Sequence, residues 1–407
     1  MPNGSSPGNL QTVYADLHIH LGWAGSPGGG VKIPAARDLT LANILRECRE
    51  RKGIGMIGVI DAATRGALDD LDRLMAEGLV AELPGGGLSY GGDVTLIPGA
   101  EVEVGHTGTG KAVHLLCFLP GARELKEFSA WEEGRVKNRH LSSQRHHNTS
   151  ASDVVTLVGA LGGIVIPAHI FTPYKAALGS ASSIAAVIPP ELWEHVPAVE
   201  LGLSSDTALA DELPELSRFA FVSDSDAHSL GKIGREYNRL ELAAPTFAEL
   251  VRALREEGGR RVSANYGLNP RLGKYHRTYC VDCDRRLEGE PPVLQCPTNP
   301  THGLMLGVLD RIRHYRELQA EIPRQSRVRP PYVHQVPLQF VPGLGKKGMD
   351  RLLSAFGSEM GVLHEAKEPE LAATVGEKLA RLIVQARAGT LPIEEGGGGI
   401  YGRVTVE

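Results

Sequence analysis

The sequence predicts an α/β protein: a barrel of alternating strands and helices, then a small metal-binding module, then a helical C-terminal region. Three observations predict it. Short apolar runs typical of strands recur between 13 and 223, with helical patterns between several of them. Three cysteines are crowded between 280 and 296. Further along, a glycine-rich turn precedes an apolar helical pattern. We accordingly expect a barrel domain over 1–265, a metal-binding module over 266–318 and a helical region over 319–407.

The strand and helix patterns alternate along the first part of the chain. Apolar runs that predict strands lie at 13–17, 56–60, 94–104, 113–119, 164–168, 198–201 and 219–223. Helical patterns between them lie at 40–51, 67–77, 152–161 and 208–216. Strand, helix and strand in repetition predict a parallel sheet with right-handed crossovers, and about seven repeats predict closure into a barrel.

The first predicted strand ends in two histidines. In residues 13–20, Val, Ala, Leu and Ile alternate with Tyr, Asp and two His, which is the period of a strand with two different faces. His18 and His20 therefore project from the same face, where two imidazoles can share one metal ion. A surface-facing histidine pair explains an isolated pair equally well, and it is the recurrence of the pattern on other strands that favours a metal site.

Acidic or histidine side chains also lie on or just after each of the remaining six predicted strands. The full set is His18, His20, Asp61, Glu101, Glu103, His114, His169, Glu200, Asp224, Asp226 and His228. In a barrel of this type the strand ends converge on one rim, where active sites are built. Each residue alone has an ordinary explanation as a helix cap, a solvated carboxylate or a histidine at the edge of the core. Jointly they predict a metal centre.

The chemistry of this set points to phosphate esters. Histidines and carboxylates without cysteine favour Zn, Mn or Fe over metals that prefer thiolates. So many ligands indicate two or three ions. Ions roughly 3.5–4 Å apart can activate a water and stabilise the leaving oxygen of a displacement at phosphorus, so we expect hydrolysis of a phosphate ester.

Five motifs resemble those of the PHP (polymerase and histidinol phosphatase) superfamily: DLHIH at 16–20, PGAEVE at 98–103, His114, PAH at 167–169 and SDAH at 225–228. The resemblance implies a distorted (β/α)7 barrel with up to three metal ions. It implies the metal ligands His18, His20, Asp61, Glu101, His114, His169, Asp226 and His228, with Asp226 and Glu101 as the catalytic residues. Many members have a histidine beside the aspartate of the second motif, whereas this chain has Ala62 and Ala63, which leaves one ligand position in doubt.

The cysteines of the middle region have the spacing of a zinc site. Cys280 and Cys283 form a CxxC turn, which orients two sulfurs at a tetrahedral ion, and Cys296 and His302 complete four ligands. Asn299 stands where a second CxxC would have its last cysteine, so His302 is the least secure of the four. The alternative is a set of buried thiols without metal. We predict structural Zn²⁺, which would supply folding energy to a module too small to bury a core.

The C-terminal region contains a turn with the pattern of a helix-hairpin-helix element, PGLGKKG at 342–348. Glycines in such a turn let backbone amides reach a phosphate independently of base sequence. We predict DNA contacts at Gly343, Gly345, Lys346 and Lys347. The alternative is an ordinary turn between helices.

Further DNA and partner contacts are predicted outside this turn. Arg139 belongs to a basic stretch after the fourth strand that could line a phosphate-binding groove, although a solvated loop explains it as well. Tyr174 could stack on a base beside the metal centre. Residues 335–340 have the QxxLxF pattern of a sliding-clamp peptide, but Pro337 favours a structural role. The glycine-rich end at 396–402 has no evident physical role.

Composition places the chain among soluble globular proteins of a reducing compartment. The net charge is −5, yet Lys and Arg outnumber Asp and Glu by 13 to 8 in residues 266–350. An acidic body joined to a basic module fits a metal-dependent enzyme that acts on a polyanion. The stretch 1–9 lacks the features of a signal peptide, no apolar run is long enough to cross a membrane, and we expect a cytoplasmic monomer.

Taken in order, the barrel motifs, the CxxC module and a tail that begins PGLG and ends GGGGIYG resemble the endonuclease Q family of DNA repair enzymes. The resemblance implies damaged DNA as partner and cleavage on the 5′ side of uracil, hypoxanthine, xanthine or an abasic site. It implies Zn²⁺ in the module and the barrel, with Mg²⁺ or Mn²⁺ for cleavage. Two alternatives are a PHP phosphatase that acts on a small phosphate monoester and a non-catalytic DNA-binding protein.

Overall fold

A computed structural model describes residues 9–25, 28–106 and 108–405. The stretch 1–9, for which the sequence predicts no signal peptide, lies outside these residues except for its last position. Within the described part, none of the helices combines the length and the apolar character needed to traverse a lipid bilayer.

All seven predicted strands are present, and the α/β class is confirmed. They are β1 (Gln11–Ile19), β2 (Met56–Val59), β3 (Val94–Gly105), β4 (Ala112–Phe118), β5 (Ile164–Pro167), β6 (Ala198–Glu200) and β7 (Ala220–Val222). Three more follow: β8 (Tyr237–Leu242), β9 (Arg261–Gly267) and β10 (Tyr332–His334). Very short strands lie at Trp23–Ala24, Gly29–Gly30, Val80–Glu82, Leu88–Tyr90, Tyr279–Cys280, Arg285–Arg286, Leu304–Met305, Ile393–Glu394 and Arg403–Val404.

The central sheet is mixed, which corrects the prediction of a parallel sheet. β2 pairs parallel with both β1 and β3, whereas β6 and β7 form a separate parallel pair. β4, however, pairs antiparallel with both β3 and β5. The link between β3 and β4 spans only 106–111, and a parallel connection needs about a dozen residues or more. The chain therefore turns back on itself at this point.

Three strands extend the sheet beyond β1. β8 pairs antiparallel with β1, β9 antiparallel with β8, and β10 parallel with β9. β9 runs past the predicted boundary at 265, and β10 belongs to the predicted C-terminal region. The C-terminal region thus contributes a strand to the sheet of the barrel domain, and the three domain limits stay predictions.

β1 changes its facing direction around His18. Its pairing with β2 shifts register between Asp16 and Ile19. In an unbroken strand Leu17 and Ile19 would face the same side, yet they pack into two different apolar clusters. A bulge of this kind redirects side chains, and it allows the apolar first half of β1 and the histidines at its end to serve the same side of the sheet.

The helices are α1 (Leu41–Glu47), α2 (Arg65–Ala76), α3 (Ala122–Trp131), α4 (Ala151–Ala160), α5 (Ala177–Ser180), α6 (Thr207–Ala210), α7 (Phe247–Leu254), α8 (Val308–Leu318), α9 (Lys346–Phe356), α10 (Glu368–Val375) and α11 (Glu377–Ala388). Wider turns at Cys48–Lys52 and Gly361–Glu365 and 3₁₀ turns at Pro190–His195, Pro214–Arg218, Leu230–Lys232, Pro270–Leu272 and Leu338–Phe340 complete the helical segments.

Three of the four predicted helices appear as α1, α2 and α4, and the fourth is divided. Instead of one helix over 208–216, α6 ends at Ala210 and a separate 3₁₀ turn begins at Pro214. Proline lacks the amide proton that a helix interior requires. The helical C-terminal region is confirmed: α9, α10 and α11 pack around Leu352, Leu371 and Ile383, which are buried.

Candidate metal centre and the cavity above it

Seven of the eight predicted metal ligands come together at one end of the sheet. They form three overlapping groups whose donor atoms lie within 4.8 Å of one another. The groups are His18, His20 and Glu101; His20, Asp226 and His228; and Glu101, His114 and His169. Because His20 and Glu101 each belong to two groups, the arrangement is that of one connected centre with room for more than one ion.

The reversed strand β4 explains how His114 reaches this centre. His114 lies near the beginning of β4, not near its end. Since β4 runs antiparallel to β3, its beginning lies at the same edge of the sheet as the ends of β1, β2 and β3. Its neighbour across the ladder is Glu103. A strictly parallel barrel would have put this histidine at the opposite rim.

Three of the histidines have a carboxylate behind them. His18 Nδ1 lies 2.9 Å from Glu200 Oε1, His20 Nδ1 3.0 Å from Asp61 Oδ2, and His114 Nε2 3.3 Å from Glu103 Oε2. Carboxylates in this position fix the tautomer and orientation of a metal-binding histidine and raise its basicity. Each pair leaves the other ring nitrogen free to face the centre.

Asp61 thus lies in a position different from that of the other predicted ligands. Its Oδ2 also accepts a hydrogen bond from the Leu21 amide at 2.8 Å, so this oxygen is already engaged by two groups. Oδ2 of Asp61 thus orients His20, while its buried Oδ1 has no hydrogen-bond partner among the described residues. Its role as a direct ligand stays a prediction.

His169 and His228 are oriented by other groups. The Thr172 hydroxyl lies 3.3 Å from His169 Nδ1, and the backbone carbonyl of Asp226 lies 2.9 Å from His228 Nδ1. His169 and Asp226 themselves have left-handed backbone angles, with φ of 31° and 46°. Such angles cost a non-glycine residue conformational free energy, and residues held in them cluster at functional sites.

The charges of the centre suit divalent cations. Burial alone would lower the pKa of His18, but the carboxylates of Glu200 and Asp226 outweigh it and raise this pKa to about 10. Burial would likewise oppose ionisation of Glu101, but His114 and Lys32 hold its pKa well below the usual range. The buried nitrogen His18 Nε2 has no hydrogen-bond partner among the described residues. Such an unpaired nitrogen beside ionised carboxylates fits a metal ligand.

One cation of the centre has no signal in the sequence. Lys32 Nζ lies 2.8 Å from Glu101 Oε2, and its side chain is 14% exposed. Lys32 belongs to no motif and follows a glycine-rich loop, so only the fold brings it here. It binds the oxygen of Glu101 that faces away from His114, since Glu101 Oε1 lies 2.6 Å from His114 Nδ1.

The four predicted zinc ligands of the middle region also come together. Cys283 Sγ lies 3.7 Å from Cys296 Sγ and 3.2 Å from His302 Nδ1, which lies 3.5 Å from Cys280 Sγ. A tetrahedral zinc with Zn–S of roughly 2.3 Å and Zn–N of roughly 2.0–2.1 Å has donor separations of roughly 3.5–3.8 Å. The observed separations are close to these values, so the geometry fits a four-coordinate ion.

A cavity of about 280 Å³ opens above the metal centre. Its floor includes Glu101, His114 and Asp226. The less buried part of its lining, here called the mouth, includes residues from three separate parts of the chain: Tyr174 and Lys175, Lys274 and Tyr275, and Tyr401. Tyr174, which the sequence predicts as a DNA contact, is 58% exposed. Tyr275 and Tyr401 carry no local pattern, because distant segments bring them to this place.

The other predicted DNA contacts lie elsewhere. Gly343 and Gly345 precede α9, and Lys346 and Lys347 are its first residues; all four are exposed. Arg139, in contrast, directs its guanidinium to Ser129 Oγ at 2.8 Å and to Glu133 at 3.4 Å, and it is 16% exposed. The structure does not bring Arg139 to the cavity and does not favour it as a DNA contact.

The predicted clamp peptide is partly buried, and some of the basic side chains make contacts within the protein. Gln335 and Leu338 are buried, so they are not available to a sliding clamp and the structure gives this prediction no support. Arg327 and Arg329 donate to backbone carbonyls of the barrel domain at 2.9 Å and 2.6 Å. Part of the positive charge of residues 266–350 therefore attaches the segment around Arg327 and Arg329 to the barrel domain.

Comparisons with known proteins agree with these observations. A family model described as PHP-associated matches residues 208–257. The uncharacterized protein YqxK of Bacillus subtilis (strain 168) is 44% identical over 401 residues, which cover 97% of this chain and 100% of YqxK. The lesion-specific endonuclease PfuEndoQ from Pyrococcus furiosus is 28% identical, with a TM-score of 0.78 over 97% of this chain and 96% of that chain.

A second solved structure is Endonuclease Q in complex with a 27-mer duplex substrate that carries an abasic lesion at the active site. It is 28% identical to this chain, with a TM-score of 0.79 over 98% of this chain and 97% of that one. The fold, the centre and these matches define a metal-dependent phosphoesterase of the PHP type, which confirms the predicted enzyme class. Within this class, the chain belongs to the endonuclease Q family.

Proposed function

We propose that this chain is a DNA repair endonuclease that cleaves the phosphodiester on the 5′ side of deaminated bases (uracil, hypoxanthine, xanthine) and of abasic sites. The observation that carries the proposal is the cavity, because its floor is the metal centre and its mouth is formed by all three parts of the chain. A phosphatase that acts on small esters would need only the metal centre at the floor of this cavity. The likeness to an Endonuclease Q bound to abasic DNA supports DNA as the substrate.

The metal ions would be held by His18, His20, Glu101, His114, His169, Asp226 and His228, with Asp61 in contact with His20. Divalent ions in such a centre supply an activated water and stabilise the leaving oxygen of a displacement at phosphorus. We assign Zn²⁺ as the ion bound in the barrel in the absence of DNA and Mg²⁺ or Mn²⁺ as the ion that supports cleavage. Both assignments agree with the histidine and carboxylate donors. Asp226 and Glu101 are the catalytic residues of this proposal.

The surrounding residues would position the substrate. The damaged nucleotide turns out of the duplex into the cavity, which costs a few kcal/mol and less where a base is mismatched or absent. Lys32 would add positive charge beside the reacting phosphate, and Lys175, which pairs with Glu103 at 3.0 Å and is 51% exposed, would receive the backbone at the mouth. The tyrosines of the mouth would face the base.

The Cys280, Cys283, Cys296 and His302 cluster would hold one structural Zn²⁺. The apolar core of this module is small: Leu287 with the partly buried Val293 and Leu304, besides the cysteines themselves. Such a core cannot order the segment alone, and a bound zinc contributes on the order of 10–16 kcal/mol in comparable modules.

The turn before α9 would grip the DNA backbone as a helix-hairpin-helix-like element. Gly343 has φ of 83°, and the exposed amides at the start of α9 offer hydrogen bonds to a phosphate. Because such a contact releases counterions, replacing Lys346 by Ala should make the plot of log affinity against log salt less steep by about one unit. An unchanged slope would remove Lys346 from the interface.

We also infer that β1 to β7 close into a distorted seven-stranded barrel. Two contacts support closure where no ladder forms: the Ile170 amide donates to the Glu200 carbonyl at 2.9 Å, and the His20 amide donates to the Ala227 carbonyl at 3.1 Å. A monomer in the cytoplasm remains the expectation for the assembly and location of this enzyme.

The proposal is tested with end-labelled duplexes that carry one uracil, one hypoxanthine, one abasic site or no lesion, in Mg²⁺ or Mn²⁺, beside a small phosphomonoester. We expect a nick confined to the 5′ side of the lesion. Asp226→Asn should abolish nicking while DNA binding persists, and Asp93→Asn, at an exposed carboxylate that pairs with Arg49, is the matched control. Phosphate release from the small ester with intact DNA would instead establish a phosphatase.

A further inference from the structure

The glycine-rich end of the chain is an ordered hairpin. Residues 393–404, here called the C-terminal strap, begin and end in the paired strands Ile393–Glu394 and Arg403–Val404. Between these strands Gly397 pairs with Ile400. The strap therefore has its own hydrogen bonds and a defined position.

The strap is attached to the segment that leads into the zinc module. Three glycine amides donate to three carbonyls of the short segment 271–274: Gly396 to Arg271 at 2.8 Å, Gly402 to Leu272 at 2.9 Å, and Gly399 to Lys274 at 3.1 Å. Glu395 adds ion pairs with Arg271 at 2.5 Å and with Arg286 at 2.6 Å. The strap is thus held by both backbone and side-chain contacts.

Close approach of two backbones explains the glycines. A Cβ at Gly396 would lie 2.8 Å from the carbonyl oxygens of Leu272 and Gly273, and a Cβ at Gly402 would lie 2.2 Å from the carbonyl oxygen of Glu394. Both distances are shorter than real Cβ contacts. A side chain at Gly396 could not fit against Leu272 and Gly273, and one at Gly402 would collide with the first strand of the strap itself. Gly396 therefore serves the docking of the strap, and Gly402 serves the closure of its hairpin.

The result of this docking is the position of one aromatic ring. Tyr401 lies at the mouth of the cavity, 45% exposed, together with Tyr174 and Tyr275. Lys274 Nζ lies 5.4 Å from the Tyr401 ring centre and 5.0 Å from that of Tyr275, so a single cation contacts both rings. Tyr174 and Tyr275 pack edge to face at 6.1 Å. The three rings form an aromatic mouth with a positive charge within it.

We propose that the C-terminal strap is a lesion-specificity element, in which Tyr401 stacks on the base of the nucleotide that enters the cavity. This inference rests on the proposed endonuclease function. An aromatic ring stacks on any base, because every base has a π-face. An abasic site offers no such face. Tyr401 therefore contributes to cleavage at a deaminated base and contributes nothing through its ring at an abasic site.

The test compares two duplexes that differ only at one position, a uracil in one and an abasic site in the other. Tyr401→Ala, Tyr401→Phe and Ile400→Ala are measured on both, by kcat/KM for nicking and by DNA affinity in the absence of cleavage. Ile400 is the neighbouring strap residue, 74% exposed and outside the cavity lining, which makes it the matched control.

We expect Tyr401→Ala to lower kcat/KM on the uracil duplex by roughly 5- to 150-fold, the range for one stacked base, and to leave the abasic duplex unchanged. Tyr401→Phe keeps the ring and should restore cleavage at uracil, and Ile400→Ala should alter neither substrate. The abasic rate also reports that the variant is folded. An equal loss on both duplexes, or no loss at uracil, overturns the inference. If the unaltered enzyme nicks neither duplex, the proposed function fails instead.

Discussion

Replacing Cys283 by Ser tests the middle module most directly. Cys283 Sγ lies 3.7 Å from Cys296 Sγ and 3.2 Å from His302 Nδ1, so it contacts two of the three other donors. A serine oxygen is a poor substitute for a thiolate at zinc. We expect the variant to lose one metal equivalent per chain and to keep the metals of the barrel.

The size of the effect follows from the module's core. Leu287 is fully buried, and full burial of such a side chain contributes about 1.5–3 kcal/mol. Val293 and Leu304 are only partly buried and contribute less. A bound zinc contributes on the order of 10–16 kcal/mol, several times what the apolar side chains supply. Loss of the metal should therefore unfold the module locally, and with it the ion pair between Arg286 and the strap residue Glu395.

Metal content by mass spectrometry, the thiolate absorption of a cobalt-substituted sample and limited proteolysis measure the outcome. In Cys283→Ser the cobalt–thiolate band should weaken and new cleavage sites should appear between 277 and 306, while the barrel stays resistant. Cys48→Ala, at a buried cysteine of the barrel, is the matched control and should behave like the unaltered enzyme. A Cys283→Ser variant with full metal content and unchanged proteolysis would refute the assignment of zinc to this cluster.

Three further predictions concern the centre and its support. Glu200→Gln removes the carboxylate behind His18 and should lower the affinity of the barrel for its metals by about 10- to 100-fold in a chelator competition; unchanged affinity contradicts the orienting role. Lys32→Met should lower kcat/KM for nicking by roughly 10- to 100-fold, the loss of one charge-assisted hydrogen bond, and Lys32→Arg should retain more activity. Burial lowers the pKa of His364 from 6.5 to about 4, so the folded state favours the neutral ring and loses stability as the pH falls from 6.5 to 4. Urea denaturation at each pH gives the free energy of unfolding. Between pH 6.5 and pH 4 this free energy should fall more in the unaltered protein than in His364→Phe, by at most about 3 kcal/mol. Parallel plots of the free energy of unfolding against pH for the two proteins would refute the prediction.

The ligands that sequence motifs carry could be predicted, because each motif is local. His18 and His20 stand two residues apart at the end of one strand, and Asp226 and His228 stand two residues apart after another. Their convergence then follows from the general rule that strand ends meet at one rim. The direction of β4 was missed, although the short link at 106–111 contains the information.

The roles of the carboxylates could not be predicted in the same way. Asp61, Glu103 and Glu200 have the same chemistry as Glu101 and Asp226 and lie at equivalent strand ends. Only the distances in the structure show that Asp61, Glu103 and Glu200 contact the histidine nitrogens that point away from the metal centre. Lys32, Tyr275 and Tyr401 could not be found at all, since no local pattern distinguishes them and long-range contacts bring them to the cavity.

The residues beyond the barrel decide between the two enzymatic interpretations of the centre. A PHP phosphatase for a small monoester has no need of Lys274, Tyr275 or Tyr401, and a cavity formed by the barrel alone would suffice. Here the strap, whose glycines admit no side chain at its closest contacts, holds Tyr401 over the same cavity that contains Glu101 and Asp226. Because Tyr401 is 45% exposed, its ring contributes to the fold only part of what a fully buried tyrosine would contribute. In the proposed function, a ring at this place meets a substrate that carries a planar base attached to the phosphate backbone, such as a DNA strand with a deaminated base.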